Sequence, residues 1–447
     1  MRKLNPEIFK AYDIRGEYPN DMNEDIAYNL GRAFATFIDT SPIVVGRDMR
    51  VSSPQVSSAL INGINETGAD VIDIGLISTD GLYFAVGKFG YPAGVMVTAS
   101  HNPAKYNGIK MCRENAVPLS GETGIQELKS IIENDAYKSS DKKGSSITKE
   151  ILNDYIDHVL SFINIDKIKP FKIVIDAGNG MAGMISPEVF KKLPCMVYPL
   201  YFELDGSFPN HQASPIEPGN VIDLQKKVKE VGADLGAAFD GDADRMFLCN
   251  ENSVMLGGDM VTALVAKNLL TKETDASILY NLICSRSVPK VISDGGGKPI
   301  RTRVGHAFIK TLMKDHNAVF GGEHSGHFYF RDNWFADSGM IALLVCLEVI
   351  SLENRPLSQI ISSIDPYFRS GEINSRVADV KEKLQELEDT FSDTEIDKLD
   401  GITVEYDDWW FNVRPSNTEP LLRLNVEASS PQQLEENTKK VLTIIRS

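Results

Sequence analysis

Gly94-Val95-Met96-Val97-Thr98-Ala99-Ser100-His101-Asn102-Pro103 decides how the rest of this chain is read. Gly94 to Val97 is small or apolar throughout, which predicts a short buried strand. Thr98 breaks that pattern, and Asn102-Pro103 forces a turn, because the residue before a proline is pushed out of the helical region. Ser100 is therefore expected on a loop at a strand end, where α/β sheets bind their ligands. Such a serine can carry a covalent group if a neighbour activates it. The plainer alternative is a turn whose Ser and Asn satisfy local backbone groups; the other motifs of the chain decide between the two.

Composition narrows the class. The 447 residues exceed one ordinary core and predict about three or four domains. Apolar content of 42% with 24% charged residues is that of a soluble globular protein. No run approaches the ~18 apolar residues of a membrane helix, and Met1 to Glu7 contains no apolar signal segment, so a cytoplasmic location is expected. The five cysteines are scattered without metal-ligand spacing and read as reduced core residues. A formal charge of −16 disfavours nucleic acid as a partner, yet a small phosphorylated ligand needs only local positive charge.

The first third alternates strands and helices. Ile43 to Asp48, Val71 to Gly75, Val95 to Val97 and Gly108 to Met111 are predicted strands, and Ser53 to Gly63 has helical spacing. This alternation predicts a sheet covered on both faces. The polar run 138–146 has the composition of a linker. A second α/β unit begins with the strand Phe171 to Asp176, followed by Gly178-Asn179-Gly180-Met181-Ala182-Gly183 and a helix expected to start at Ser186-Pro187. That glycine pattern, with Glu203 about twenty residues on, spells a dinucleotide fingerprint. Asp176 at the strand end would set its charge against a pyrophosphate, so a tight strand-to-helix turn is the preferred reading.

Asp240-Gly241-Asp242-Ala243-Asp244-Arg245 lies between two predicted strands. Three carboxylates at alternate positions can converge on one hard cation. A calcium loop would need glycine where Arg245 stands, and helices rather than strands beside it. Three protein oxygens with open positions suit Mg²⁺ bound jointly with a phosphate. Downstream, Arg301 to His306 brings base and histidine to a turn, and Gly322-Glu323-His324-Ser325-Gly326-His327 follows a strand, so that Glu323 and Ser325 can face vicinal hydroxyls. Ile341 to Ile350 reads as a buried helix and 377–400 as a charged helical link. Last, Arg414-Pro415-Ser416-Asn417-Thr418-Glu419-Pro420 joins a bidentate phosphate ligand to hydroxyl and amide donors, the makings of an anion nest. A half-buried strand and a closing helix end the chain.

Four loops in this order resemble those of the α-D-phosphohexomutase family, phosphomannomutase/phosphoglucomutase branch, over essentially the whole chain. Thr98 to Pro103 is similar to its phosphoserine loop, Asp240 to Arg245 to its metal loop, Gly322 to His327 to its sugar loop and Arg414 to Pro420 to its phosphate loop. The resemblance implies a heart-shaped α/β protein. Three related α/β domains with mixed sheets (1–146, 147–248, 249–367) and a smaller α+β domain (368–447) would surround a central cleft. It implies hexose 1-phosphate and 6-phosphate interconversion through phosphoserine and a hexose 1,6-bisphosphate, which also serves as activator. Mg²⁺ would be held by Ser100, Asp240, Asp242 and Asp244, with Ser100, His101, Lys110 and Arg245 catalytic. Tyr12, Arg15, His306, Glu323, Ser325, His327, Arg414, Ser416, Asn417 and Thr418 would bind substrate. A monomer or weak dimer is expected. Where some relatives carry a cleft lysine, this chain has Ile283 or a neighbour, and nearby Arg286 is the candidate substitute. Phosphoglucosamine mutase, a nicotinamide oxidoreductase on the Gly178 turn and a silent sugar-phosphate-binding protein are the alternatives.

Overall fold

The computed structural model describes residues 4–416 and 421–447. Three mixed α/β sheets follow one another along the chain, and a fourth, antiparallel sheet closes it. In the first sheet, Ile43–Arg47 lies between Val71–Leu76 and Ala93–Val97, parallel to both. Its residues Ile43 to Gly46 are all buried, as a central strand covered on both faces requires. Tyr106–Arg113 then runs antiparallel to Ala93–Val97, and Ile14–Glu17 adds to its far side. The run read as a linker folds back on this sheet. Ser145 donates from its backbone N and its Oγ to Oδ1 of Asp70, and Ser146–Thr148 pairs with Val71–Leu76 at the edge.

The second and third sheets repeat one device of the first. Leu235–Phe239 turns into the antiparallel Met246–Asn250, and Phe320–Gly322 into Phe328–Phe330. Each of the three sheets thus carries a hairpin whose first strand runs parallel to a neighbour on its other side. The serine loop, the aspartate loop and the Glu323 loop are the tips of these three hairpins. A tip at a strand end is short, polar and rigidly seated, which is why chemistry accumulates there.

The helix Gly339–Glu353 is buried along almost its whole length, and its apolar residues belong to a core shared by the first three units. The fourth unit has a core of its own, built from Phe391, Phe411, Leu424, Val441 and their neighbours. Two expected boundaries move. The helix after the Gly178 turn begins at Ala182 and takes Pro187 into its interior. The charged link is helical only over Val380–Thr390; the chain then forms the short strand Ile396–Asp397 against Ile402–Glu405. Asp379 caps that helix through Lys381 and Glu382 N–H, whereas Ser392 bonds the carbonyl of Asp389 and Thr394 that of Glu405, competing with helix propagation.

Candidate active site

Ser100 is buried at the tip of the first hairpin with φ +48°, a left-handed conformation that costs energy for any residue but glycine. Its N–H is held by Oγ1 of Thr98 at 2.9 Å. Arg50 holds the rest of the loop. Its guanidinium donates to the carbonyls of Ser100, Asn102, Pro103 and Tyr106 at 2.7, 2.6, 3.0 and 2.9 Å, and its Nε lies 3.3 Å from Asp48. The planar fork fits several acceptors at once, and full burial is tolerable only because all are in place. From the second unit, the Phe208 ring lies under this guanidinium, Gly206 meets the Arg50 backbone and Gln212 Nε2 donates to the His101 carbonyl at 2.8 Å. Arg50 falls in none of the sequence motifs, although a charged Asp48/Arg50 pair directly after an apolar strand is a visible signal.

The aspartate loop meets this serine. Ser100 Oγ donates to Asp240 Oδ2 at 2.7 Å and lies 3.2 Å from His101 Nδ1. Asp240, Asp242 and Asp244 are all buried, and each brings an oxygen within 4.8 Å of the others. Lys110 Nζ bridges Asp242 and Asp244 at 2.8 and 2.5 Å. Thr79, at the start of the helix Thr79–Phe89, donates its Oγ1 to Asp242 Oδ2 at 2.5 Å and its N–H to the Asp242 carbonyl, so the helix N-terminus faces the loop. Burial, then repulsion from Asp244 and Asp242, holds the Asp240 carboxyl well above the usual range. Burial opposes ionisation of Asp242 as well, but Lys110 and Thr79 outweigh it and keep that pKa low. Arg245 beside His101, with burial, holds the imidazole well below its normal value, so it is neutral.

A divalent cation fits this cluster. Oδ1 of Asp242 and Oδ1 of Asp244 are buried without a hydrogen-bond partner, and carboxylate oxygens in that state call for a cation. The glycine turn of the second unit supports the same loop. Met181 N–H donates to the Gly241 carbonyl at 2.9 Å, Gly178 N–H to Asp176 Oδ1, and a side chain on Gly180 would strike the Gly241 backbone. Its donors are committed within the protein, and the turn clasps the aspartate loop where a nucleotide would have used them.

Tyr12, Arg15, Lys110, Arg245 and His327 line one cavity with Asp13, Asp244 and Asp337. Arg15 pairs with Asp13 and donates to Asn102 Oδ1 at 2.7 Å, linking the first strand to the serine loop. His327 Nδ1 is 2.7 Å from Asp337 Oδ2, and Asp337 also binds Lys310. Backbone pairing between Arg245 and His327 joins the second and third loops directly. Glu323 is buried, with Oε2 accepting from the Tyr329 hydroxyl at 2.7 Å and Oε1 from Gly305 N–H at 3.2 Å. Gly305 needs to be glycine: its φ is +131° and a Cβ would lie 2.8 Å from the Tyr12 hydroxyl. Ser325 is half-buried beside Glu323 on the same tip.

Arg414 is buried on the fourth sheet, with Nη2 2.6 Å from Glu372 Oε2. Ser416 follows it; Asn417, Thr418 and the side chain of His306 lie outside the described residues. Arg286 does not replace the missing cleft lysine here. Its guanidinium donates to the carbonyls of Tyr406 and Asp407, seating the fourth unit on the third, and Ile283 beside it is buried.

Comparison with known proteins matches all four units. Domains I, II and III of phosphoglucomutase/phosphomannomutase, each of α/β/α type, match residues 6–139, 153–255 and 257–367, and the C-terminal domain matches 372–443. The chain is 39% identical to a phosphomannomutase of Escherichia coli strain K12, with 100% of both chains covered. It is 38% identical to a phosphomannomutase of Methanocaldococcus jannaschii, over 98% of this chain and 97% of that one. A crystal structure of a phosphoglucomutase/phosphomannomutase family protein from Burkholderia thailandensis superimposes with a TM-score of 0.90 at 30% identity, covering 99% and 98% of the two chains.

Proposed function

The chain belongs to the phosphoglucomutase/phosphomannomutase family and is a phosphohexomutase, and from that premise we propose that Ser100 carries the transferring phosphate and that both mannose and glucose phosphates are substrates. The observation that carries the first part is the 2.7 Å hydrogen bond from Ser100 Oγ to Asp240, inside a cluster with two unpartnered carboxylate oxygens. Asp240, Asp242 and Asp244 are assigned to Mg²⁺, which when bound neutralises charge on the phosphate. In the transfer, the P–Oγ bond to Ser100 breaks, a bond from phosphorus to the free sugar hydroxyl oxygen forms, and the hydroxyl proton passes through neutral His101 to Ser100 Oγ. The bisphosphate so formed turns over and returns its other phosphate to Ser100.

Each remaining group is assigned by what it touches. Phosphoryl transfer asks chiefly for positioning and charge. Lys110, bound to two aspartates, and Arg245 supply positive charge beside the reacting oxygens. Neutral His101, 3.2 Å from Ser100 Oγ, takes the Oγ proton when the serine is rephosphorylated and passes it to the departing sugar oxygen. Glu323 and Ser325 hold sugar hydroxyls, His306 and His327 are assigned to the same substrate, and Tyr12 and Arg15 close the first unit's side. Arg414, Ser416, Asn417 and Thr418 hold the phosphate that is not reacting. Monomer or weak dimer, working in the cytoplasm, is the expected state; no helix among the described residues is long and apolar enough to cross a membrane.

Glucose and mannose differ only at C2. A site that binds the two phosphates and the C3 and C4 hydroxyls contacts what they share, and strong rejection needs a buried polar group left unpaired by the wrong sugar. Mannose 1-phosphate and glucose 1-phosphate, assayed side by side with Mg²⁺ and a hexose bisphosphate, should give kcat/KM values within about a hundredfold, or ~2.7 kcal/mol. A ratio above roughly 10⁴ would remove the dual-substrate reading.

A further inference from the structure

Arg414 and Arg423 are direct cross-strand partners on the fourth sheet. Their side chains leave the same face, where two like charges opposite one another repel. Glu372 lies immediately before the strand Ile373–Arg376, which pairs with the other side of Leu421–Ala428. Two residues before Asn374, the partner of Arg423, it occupies the diagonal position on that face, within reach of both arginines. One oxygen of Glu372 takes Arg414 Nη2 at 2.6 Å and the other takes Arg423 Nη1 at 3.1 Å. One carboxylate thus holds two guanidinium groups and leaves the trio with a net positive charge. Burial is unequal: the Arg414 side chain is 8% exposed, Arg423 37% and Glu372 27%. Nη1 of Arg414 is buried and has no hydrogen-bond partner among the described residues.

An unpaired buried guanidinium nitrogen is costly unless an anion meets it. We infer that Glu372 is the positioning residue for Arg414: by bridging the two arginines it fixes the Arg414 fork so that Nη1 stays free for the substrate's non-reacting phosphate. This rests on the assignment of Arg414 to that phosphate. Glu372 does more than neutralise. It takes Nη2 and so presents Nη1, and it restrains Arg423, which otherwise would push the Arg414 fork out of register. Two arginines without it would carry more positive charge but no fixed direction, and bidentate phosphate recognition depends on direction.

The test is a kinetic double-mutant cycle on the full chain. Glu372→Gln should raise KM for hexose 1-phosphate about tenfold with kcat within about threefold, because the contact is alike in ground and transition states. Thermal unfolding should move little, which a purely structural role would not allow. In an Arg414→Ala background, Glu372→Gln should add nothing to KM, since its effect runs through Arg414. Glu372→Asp, which keeps the charge on a shorter stem, should lie between wild type and Gln; it also serves if the Gln variant folds poorly. An unchanged KM in Glu372→Gln, or effects of the two substitutions that multiply, overturns the inference. An unchanged KM in Arg414→Ala alone would instead remove the parent assignment of Arg414.

Discussion

Ser100 and Asp240, 140 residues apart, share a 2.7 Å hydrogen bond between Oγ and Oδ2. They stand at the tips of hairpins in two different sheets. The contact is close because Gly241 has no side chain: a Cβ there would lie 2.5 Å from the Ser100 carbonyl. A phosphate on Ser100 would therefore enter directly among the three aspartates. That would be repulsive unless a cation bound with it, so a phosphate on Ser100 and a cation at the aspartates would favour each other.

Ser100→Ala should abolish mutase turnover, by at least about a thousandfold, while the fold persists, because no other hydroxyl among the described residues is placed at Asp240. Kinetics with intact-mass and peptide mapping of the phosphorylated protein check this. A phosphate mapped to another residue, or an active Ala variant, would remove the mechanism.

Asp242→Asn should weaken Mg²⁺ binding on the order of tenfold or more and lower kcat with it, since it removes one of three converging charges. Calorimetric titration with Mg²⁺ reads the affinity independently of turnover. Unchanged affinity, or full activity in excess chelator, would dismiss the metal role of this loop.

Arg50→Lys should cut kcat about a hundredfold or more while KM stays within about threefold, since a misplaced catalytic loop costs rate while the sugar contacts remain. An ammonium cannot serve the four carbonyls that the guanidinium now holds. Near-normal kcat would show that Phe208, Gln212 and the Ser100 backbone suffice to seat the loop.

Asp80 makes a pH prediction. Its buried carboxyl, pushed up to about 6 by burial despite hydroxyls from Ser338, Ser78 and Tyr155, joins the first three units. The native state therefore keeps the proton more tightly than the unfolded chain does. The resulting stability is fully present below about pH 4 and is lost as pH rises through about 6, by ~3 kcal/mol for a shift of this size. Asp80→Asn should remove that slope, so denaturant curves for the two proteins should diverge between pH 4 and 7. Parallel pH dependences would show that Asp80 is already ionised in the native state.

Much of this protein was written locally. Strand ends, glycine turns and clustered carboxylates follow from neighbours within about ten residues. The four loops, Asp240, Asp242, Asp244, Glu323 and Arg414 among them, were therefore readable in sequence, and their order pointed to the family. The α/β architecture followed from the alternation of apolar strands with helices, for the same reason.

Only tertiary structure decided who meets whom. Arg50 belongs to none of the sequence motifs and is a buried post, because its four carbonyl partners come from residues 100–106. Arg286 looked available to the cleft, but the fourth unit supplies carbonyls that claim it. The glycine turn at Gly178 spells a nucleotide site and instead clasps Gly241, since the space that a pyrophosphate would need is filled by the aspartate loop. Glu372, beside no motif, holds Arg414 across three strands. A side chain's type is local, but its partner depends on how separate sheets pack, and the free energy of burying a charge depends entirely on that partner.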